Sequence, residues 1–256
     1  MTLLDDVVNA LRGGDLSVVD LTAPLSELTP IIQLPPERGR PWRFSREVIS
    51  DYDAAGPTVY WNNIALSEHT GTHFDAPVHW LSGKDSHDIA QVPPDRLVGP
   101  AVVLDMTDEA DRDPDFLLRR EHVEAWQAEH GELPNDGWLL YRTGWARHGA
   151  DPERFLNGGH TPGIAPDCAR WLAERTPIVG IGVETVGTDA GQAGEFADRP
   201  YPCHWYLHGA GKYGLTQLRN LHLLPPTGSV LIAGPLPIVG GSGSPARVLA
   251  LVAGNQ

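Results

Sequence analysis

The stretch His69-Thr70-Gly71-Thr72-His73-Phe74-Asp75-Ala76-Pro77-Val78-His79 sets three imidazoles and one carboxylate at alternate positions of one short run. An extended strand presents alternate residues on one face, so this spacing predicts a strand that carries all four groups together. A helix is the poorer carrier. Gly71 and the β-branched Thr70 and Thr72 lower its propensity, and Pro77 would break it. Full extension would hold His69 and His73 roughly 13 Å apart at about 3.3 Å per residue, too far for two ligands of one ion. The backbone must therefore kink near Gly71, where the missing Cβ permits it.

Given that kink, His69, His73 and Asp75 supply the three protein ligands of an open catalytic metal site. The mixed nitrogen and oxygen set suits manganese or zinc better than calcium or magnesium. His79 lies beyond the turn at Pro77. There it is placed for general acid/base work, with a role as a fourth ligand as the open alternative.

Outward from this run the pattern alternates helix with strand, as α/β proteins do. Residues 3–12 read as a short amphipathic helix stopped by Gly13-Gly14, and residues 18–21 as a strand. Further strands are predicted over 59–66, 101–104, 137–143, 178–183, 230–233 and 248–252, and helices over 120–130 and 165–174. The Pro-rich segment 24–42 is too irregular for a long element and suits a binding loop or an arm onto a partner subunit. With no repeat or linker in its 256 residues, the chain reads as one domain, residues 1–256, with 1–45 as an N-terminal arm.

The 33 acidic residues outnumber the 19 basic ones, giving a net charge of -14, which argues against nucleic acid or an anionic membrane as partner. Cys168 and Cys203 are isolated and show no metal-binding spacing. A cytoplasmic location is expected, since Asp5, Asp6 and Arg12 interrupt any signal-like apolar run and no stretch has the length of a membrane span.

The run HTGTHFDAPVH resembles the signature of the metal-dependent cyclase family, whose members include kynurenine formamidases and isatin hydrolases. The resemblance extends to DLTAPLS at 20–26, GKDSHDI at 83–89, LVGPAVVLDM at 97–106, YRTGWARH at 141–148, VGIGVET at 179–185 and GSVLIAGPLPIVGGSGSPARVLAL at 228–251. It implies a swivelling β/β/α fold with a mixed sheet. It also implies metal ligation by His69, His73 and Asp75, with His79 as the acid/base residue.

Formamidase members complete a two-metal site with a later histidine and a glutamate twelve residues on. His204 matches the histidine, but Thr216 stands where the glutamate would be. The expectation is therefore one divalent ion per chain, manganese first and zinc as the alternative, with Gln217 as a further ligand and Thr216 as a weaker one. His208, where the family usually has leucine, suits a second, weaker metal site or a surface pair and is given no catalytic role.

The stretch Tyr60-Trp61-Asn62-Asn63 is similar to the isatin-hydrolase branch. By that likeness Trp61, Asn62 and Asn63, with Trp80 and His204, would contact a flat aromatic lactam or amide. The reaction implied is hydrolysis of a cyclic amide to a carboxylate by a homodimer or homotetramer. Aryl-formamide hydrolysis, or a cyclase or dehydratase reaction at the same centre, is the alternative.

Overall fold

The computed structural model describes residues 2–34 and 39–254. Along the chain run α1 (Leu3–Gly13), β1 (Leu16–Asp20), β2 (Ser45–Asp51), β3 (Tyr60–Ala65), β4 (His73–Asp75), β5 (Val98–Asp105) and α2 (Thr107–Arg112). They are followed by β6 (Leu117–Leu118), α3 (Arg120–His130), β7 (Trp138–Arg142), α4 (Pro152–Leu156), β8 (Gly163–Ile164), α5 (Pro166–Arg175) and β9 (Gly180–Val183). The last elements are α6 (Pro202–Gly209), β10 (Tyr213–Thr216), β11 (Ser229–Pro235) and β12 (Gly243–Ala253).

Eight strands form a mixed sheet in the order β1-β12-β11-β5-β7-β9-β10-β4, and β12 also pairs with β4. That last pairing closes the sheet into a barrel. The long β12 makes closure possible by dividing one edge between two partners: Gly243–Pro245 pair with β4, and Leu249–Ala253 pair with β1. β5, β7, β9 and β10 run parallel, whereas β4, β11 and β12 are antiparallel to their neighbours.

The two-residue period of the strands sorts side chains between two cores. Ala101, Val103, Trp138, Leu140, Leu231, Val248 and Ala250 fill the barrel with Phe74. The alternate residues Val102, Leu104, Leu139, Tyr141, Ile181 and Val183 pack outward against Val123 and Trp126 of α3, Leu172 of α5 and Leu207 of α6. Each such buried aliphatic side chain contributes about 2 kcal/mol relative to exposure.

The helix predicted over 3–12 has sharp ends. Thr2 and Asp5 form a capping box, and Gly14 closes the helix in the left-handed conformation. Of the Pro-rich segment 24–42, residues 35–38 lie outside the described residues, and the remainder holds no helix or strand. Among the elements that sequence reasoning missed, β2 has the polar sequence SREVISD, and β10 is only YGLT. Neither shows an apolar alternation long enough to read.

Candidate metal centre

The eleven-residue run kinks at Gly71 as expected, but the strand is shorter than predicted and carries only His73 and Asp75 of the four groups. His69 lies in a turn, Gly71 takes φ +67°, His73–Asp75 form β4, and Pro77–His79 make one turn of 3₁₀ helix. The left-handed backbone here favours glycine, and a Cβ would also press on the Leu25 side chain at 2.6 Å, which would have to move aside. The kink brings the His69 and His73 rings to 5.2 Å between centroids.

Asp75 is the hub of the site. It is fully buried, and its Oδ1 lies 2.8 Å from His69 Nδ1 and 3.3 Å from His73 Nε2. Burial alone would raise its pKa, but the positive charge and hydrogen bonds that His73 and His69 supply when protonated hold the carboxyl well below the usual range.

On its far side His69 Nε2 lies 2.9 Å from Ser242 Oγ, and that hydroxyl donates to Glu68 at 2.7 Å. A serine hydroxyl has one proton to give, so Nε2 must be the donor to Ser242. Nδ1 of a neutral His69 is then a bare lone pair set against a carboxylate oxygen. A cation shared by the two groups turns that repulsion into attraction, so the donor set fits a metal ion. The chain makes room for this packing at Gly243, where a Cβ would meet His69 Cε1 at 2.6 Å.

His73 Nδ1 faces the Gly71 carbonyl at 2.7 Å, and Thr216 Oγ1 lies 2.8 Å from the same nitrogen. His79 stacks on His69 with centroids 3.9 Å apart. Burial and the neighbouring His69 lower its pKa to about 2, so it is neutral across the ordinary pH range.

Two groups of ligand atoms come close enough to hold a cation among the described residues: His69, Asp75 and His79, and Asp75, His204 and His208. His73 adjoins the first through Asp75. The structure thus gathers every histidine predicted for the site, and it brings in His208, whose burial removes the surface-pair reading and leaves the other reading that the sequence held open. His208 is buried on α6, one turn after His204. Its i, i+4 spacing was visible in the sequence, but the direction of the helix face was not. Asp189, which accepts the backbone N–H groups of Cys203 and His204 and lies against His204 Nδ1, was missed, as were Ser242 and Glu68, because none carries a spacing signal and all act through the fold.

The remaining predicted residues are placed unevenly. Trp80 packs on the His204 ring at 4.8 Å, beside the cluster. Trp61, Asn62 and Asn63 lie on β3, in a two-stranded hairpin with β2, and Asn63 bonds Glu47 across that hairpin. None of the hydrogen bonds or ring contacts described for the cluster involves these three residues. Gln217 follows β10 with φ +50°, not in a helix; its amide nitrogen donates to Pro30 O, and its backbone meets Thr72 and Thr185. It lines a cavity of about 730 Å³ with Arg142 and Glu184 at the C-terminal ends of the parallel strands, and no imidazole of the cluster lines that cavity. Cys168 and Cys203 are buried free thiols.

The Cyclase family model matches residues 19–190. An isatin hydrolase of Roseibium aggregatum is 45% identical over 250 residues, 94% of each chain. Isatin hydrolase A from Labrenzia aggregata, solved with benzyl benzoate, superposes with a TM-score of 0.95 at 48% identity over 98% of this chain and all of that one. An isatin hydrolase bound to the product analogue thioisatinate gives 0.95 at 42% identity, over 99% of this chain and all of that one.

Proposed function

Because this chain belongs to the Cyclase family, we propose that it is a metal-dependent hydrolase that opens an isatin-like lactam to a carboxylate. The observation that carries the reading is the His69 ring fixed by Ser242 with its free nitrogen on Asp75. His69, His73 and Asp75 would hold the ion, manganese first and zinc as the alternative. The amide oxygen of Gln217 stays free, since its nitrogen donates to Pro30, but the residue lines a cavity that none of the cluster's imidazoles lines, which argues against it as a ligand.

A divalent ion bound there supplies Lewis acidity, lowering the pKa of water and polarising a carbonyl. The chain's own part begins with His79. Its neutral imidazole takes the proton of the attacking water as oxygen bonds to the acyl carbon. The depressed pKa makes the resulting imidazolium a ready donor, and it returns the proton to the leaving nitrogen as the C–N bond breaks. Asp75 opposes that depression and steadies the brief positive charge. Trp80, packed on His204, offers a wall for a flat ring.

Assembly with a second copy fits the surfaces left uncovered. Leu4, Val8 and Leu11 of α1 are exposed, as are Val48, Tyr60, Trp61 and Ile64 of the β2–β3 hairpin. An isolated two-stranded hairpin is marginal in water, so these apolar side chains suit a subunit contact. Trp61, Asn62 and Asn63 belong to that contact. No helix among the described residues is long and apolar enough to cross a membrane.

The test is turnover of isatin and of N-formylkynurenine by the manganese-loaded protein, with His79→Ala beside the wild type. Isatin is expected to be opened, and His79→Ala to lose about 10²-fold or more in kcat while keeping its metal. Faster turnover of the formamide would move the assignment to aryl-formamide hydrolysis. Equal rates for His79→Ala and wild type would remove the proton-transfer role.

A further inference from the structure

The cavity at the C-terminal ends of the parallel strands lies apart from the metal centre. Alternate residues of a strand face opposite ways. Phe74 fills the barrel, so its neighbours His73 and Asp75 on β4 point away from it. On the parallel strands the barrel-facing set runs on past the core. Val103 and Leu140 lead to Asp105 on β5 and Arg142 on β7, which pair in register, and Glu184 follows Val183 at the end of β9. The cavity of about 730 Å³ is therefore the mouth of the barrel.

Its walls are fixed. Thr22 bridges Leu218, the Arg219 N–H donates to the Leu21 carbonyl at 3.0 Å, and Gln217 Nε2 donates to the Pro30 carbonyl at 3.1 Å. These contacts hold the segment 22–30 along one side. Opposite, Trp145 Nε1 donates to the Phe155 carbonyl at 2.8 Å, which anchors Phe155 in the lining. A cavity of this size, apolar in the main with a few charged groups, suits a small organic molecule.

Those charged groups differ in their commitments. Arg142 pairs with Asp105, and Arg147 with Asp111. Arg219 also lines the cavity and makes no ion pair among the described residues. Glu184 is 3% exposed. It accepts from the Thr143 N–H at 2.8 Å, but no ion pair among the described residues balances its charge, since the adjacent Arg142 is committed to Asp105. A buried carboxylate without a cation is costly to ionise. Gln217 N–H donates to Thr185 O and Leu218 N–H to Val183 O, so the chain entering Arg219 runs one strand spacing, about 4.8 Å, from Glu184. The cavity thus holds an unpaired acid and an unpaired base on adjacent strand ends.

We propose that the barrel mouth binds an apolar α-amino acid, with its ammonium on the Glu184 carboxylate, its carboxylate on the Arg219 guanidinium and its side chain against Leu28 and Phe155. The ammonium supplies the cation that Glu184 lacks, and the planar guanidinium matches a carboxylate in two parallel hydrogen bonds. Neither residue touches the metal cluster, so the site stands whatever reaction that cluster performs.

The experiment is calorimetric titration of the manganese-loaded protein with L-phenylalanine, with 3-phenylpropionate, which lacks the amine, and with 2-phenylethylamine, which lacks the carboxylate. Phenylalanine should bind at one equivalent with a Kd of about 1 mM or tighter, and loss of either group should weaken binding about tenfold or more. Glu184→Gln should lose about tenfold in affinity for phenylalanine and leave 3-phenylpropionate unchanged, whereas Arg219→Gln should weaken both. No uptake of phenylalanine at ten times the expected Kd, or equal affinity for the three compounds, would overturn the proposal. So would unchanged phenylalanine affinity in either folded variant, which would place the amino acid elsewhere, the metal centre included. If Glu184→Gln fails to fold, as judged by circular dichroism, the exposed Arg219→Gln change and the three compounds on the wild type decide.

Discussion

Ser242 fixes the chemistry of His69 from the side opposite Asp75: its hydroxyl is committed to Glu68 and so accepts from His69 Nε2, which leaves Nδ1 as the nitrogen facing the carboxylate. The metal centre therefore depends on a residue that touches no ion. Ser242→Ala should weaken manganese binding by about 10-fold to 100-fold, the usual effect of losing a group that orients a ligand. Glu68→Gln should act in the same direction and more mildly, since an amide oxygen can still accept from Ser242. Calorimetric titration of each variant checks the order.

The pH profile should separate proton transfer from metal loss. Burial and the neighbouring imidazoles push the His79 pKa far down, to about 2, so its protonation is expected to contribute little to an acid limb above pH 4. Proton competition for the ligating histidines can produce one, because ligands must be deprotonated to bind. Raising the manganese concentration tenfold should shift the acid limb of kcat/KM to lower pH. A limb that stays in place would assign it to a group outside the metal centre.

Glu184 offers a test on stability. Its carboxyl is buried at the wall of the cavity, and burial raises its pKa despite hydrogen bonds from Thr143 and Gly144. A raised folded-state pKa means that the folded chain binds the proton more tightly than the unfolded chain. The ionised form then costs stability above the raised value, and the cost vanishes below the unfolded pKa of about 4.3. Glu184→Gln, which keeps an acceptor for Thr143, should raise Tm relative to wild type at pH 8 and lose that advantage near pH 4. Thermal melts at the two pH values decide it.

Ile64 is 61% exposed on the β2–β3 hairpin, beside Trp61 at 57%. If that face meets a second copy, Ile64→Asp should shift the protein to the monomer in light scattering at micromolar concentration. An unchanged mass would place the contact elsewhere.

How far the sequence could be read depended on the range of each signal. The strand, kink and turn around His69–His79 were legible because Gly71 and Pro77 act locally, and the long apolar runs gave β5, β7, β9 and β12 within a few residues. Barrel closure was not legible, since it depends on β12 meeting a strand of only three residues far away in the chain. The sequence shows Thr216 where the family's glutamate would be, and the fold sets that hydroxyl against His73; for His208 the sequence left a second metal site and a surface pair both open, because only the fold shows that the ring is buried. Gln217 was read through its sequence neighbours, yet its left-handed backbone turns its amide to Pro30.

The central claim is that the His69–Asp75 pair is made for a metal ion that the reaction needs. The most direct measurement is isatin ring opening by chelator-stripped protein as manganese is added back. Activity should be absent without metal and rise in proportion to the first equivalent bound, and Asp75→Asn should abolish both binding and turnover. Undiminished turnover by the stripped protein would contradict the account.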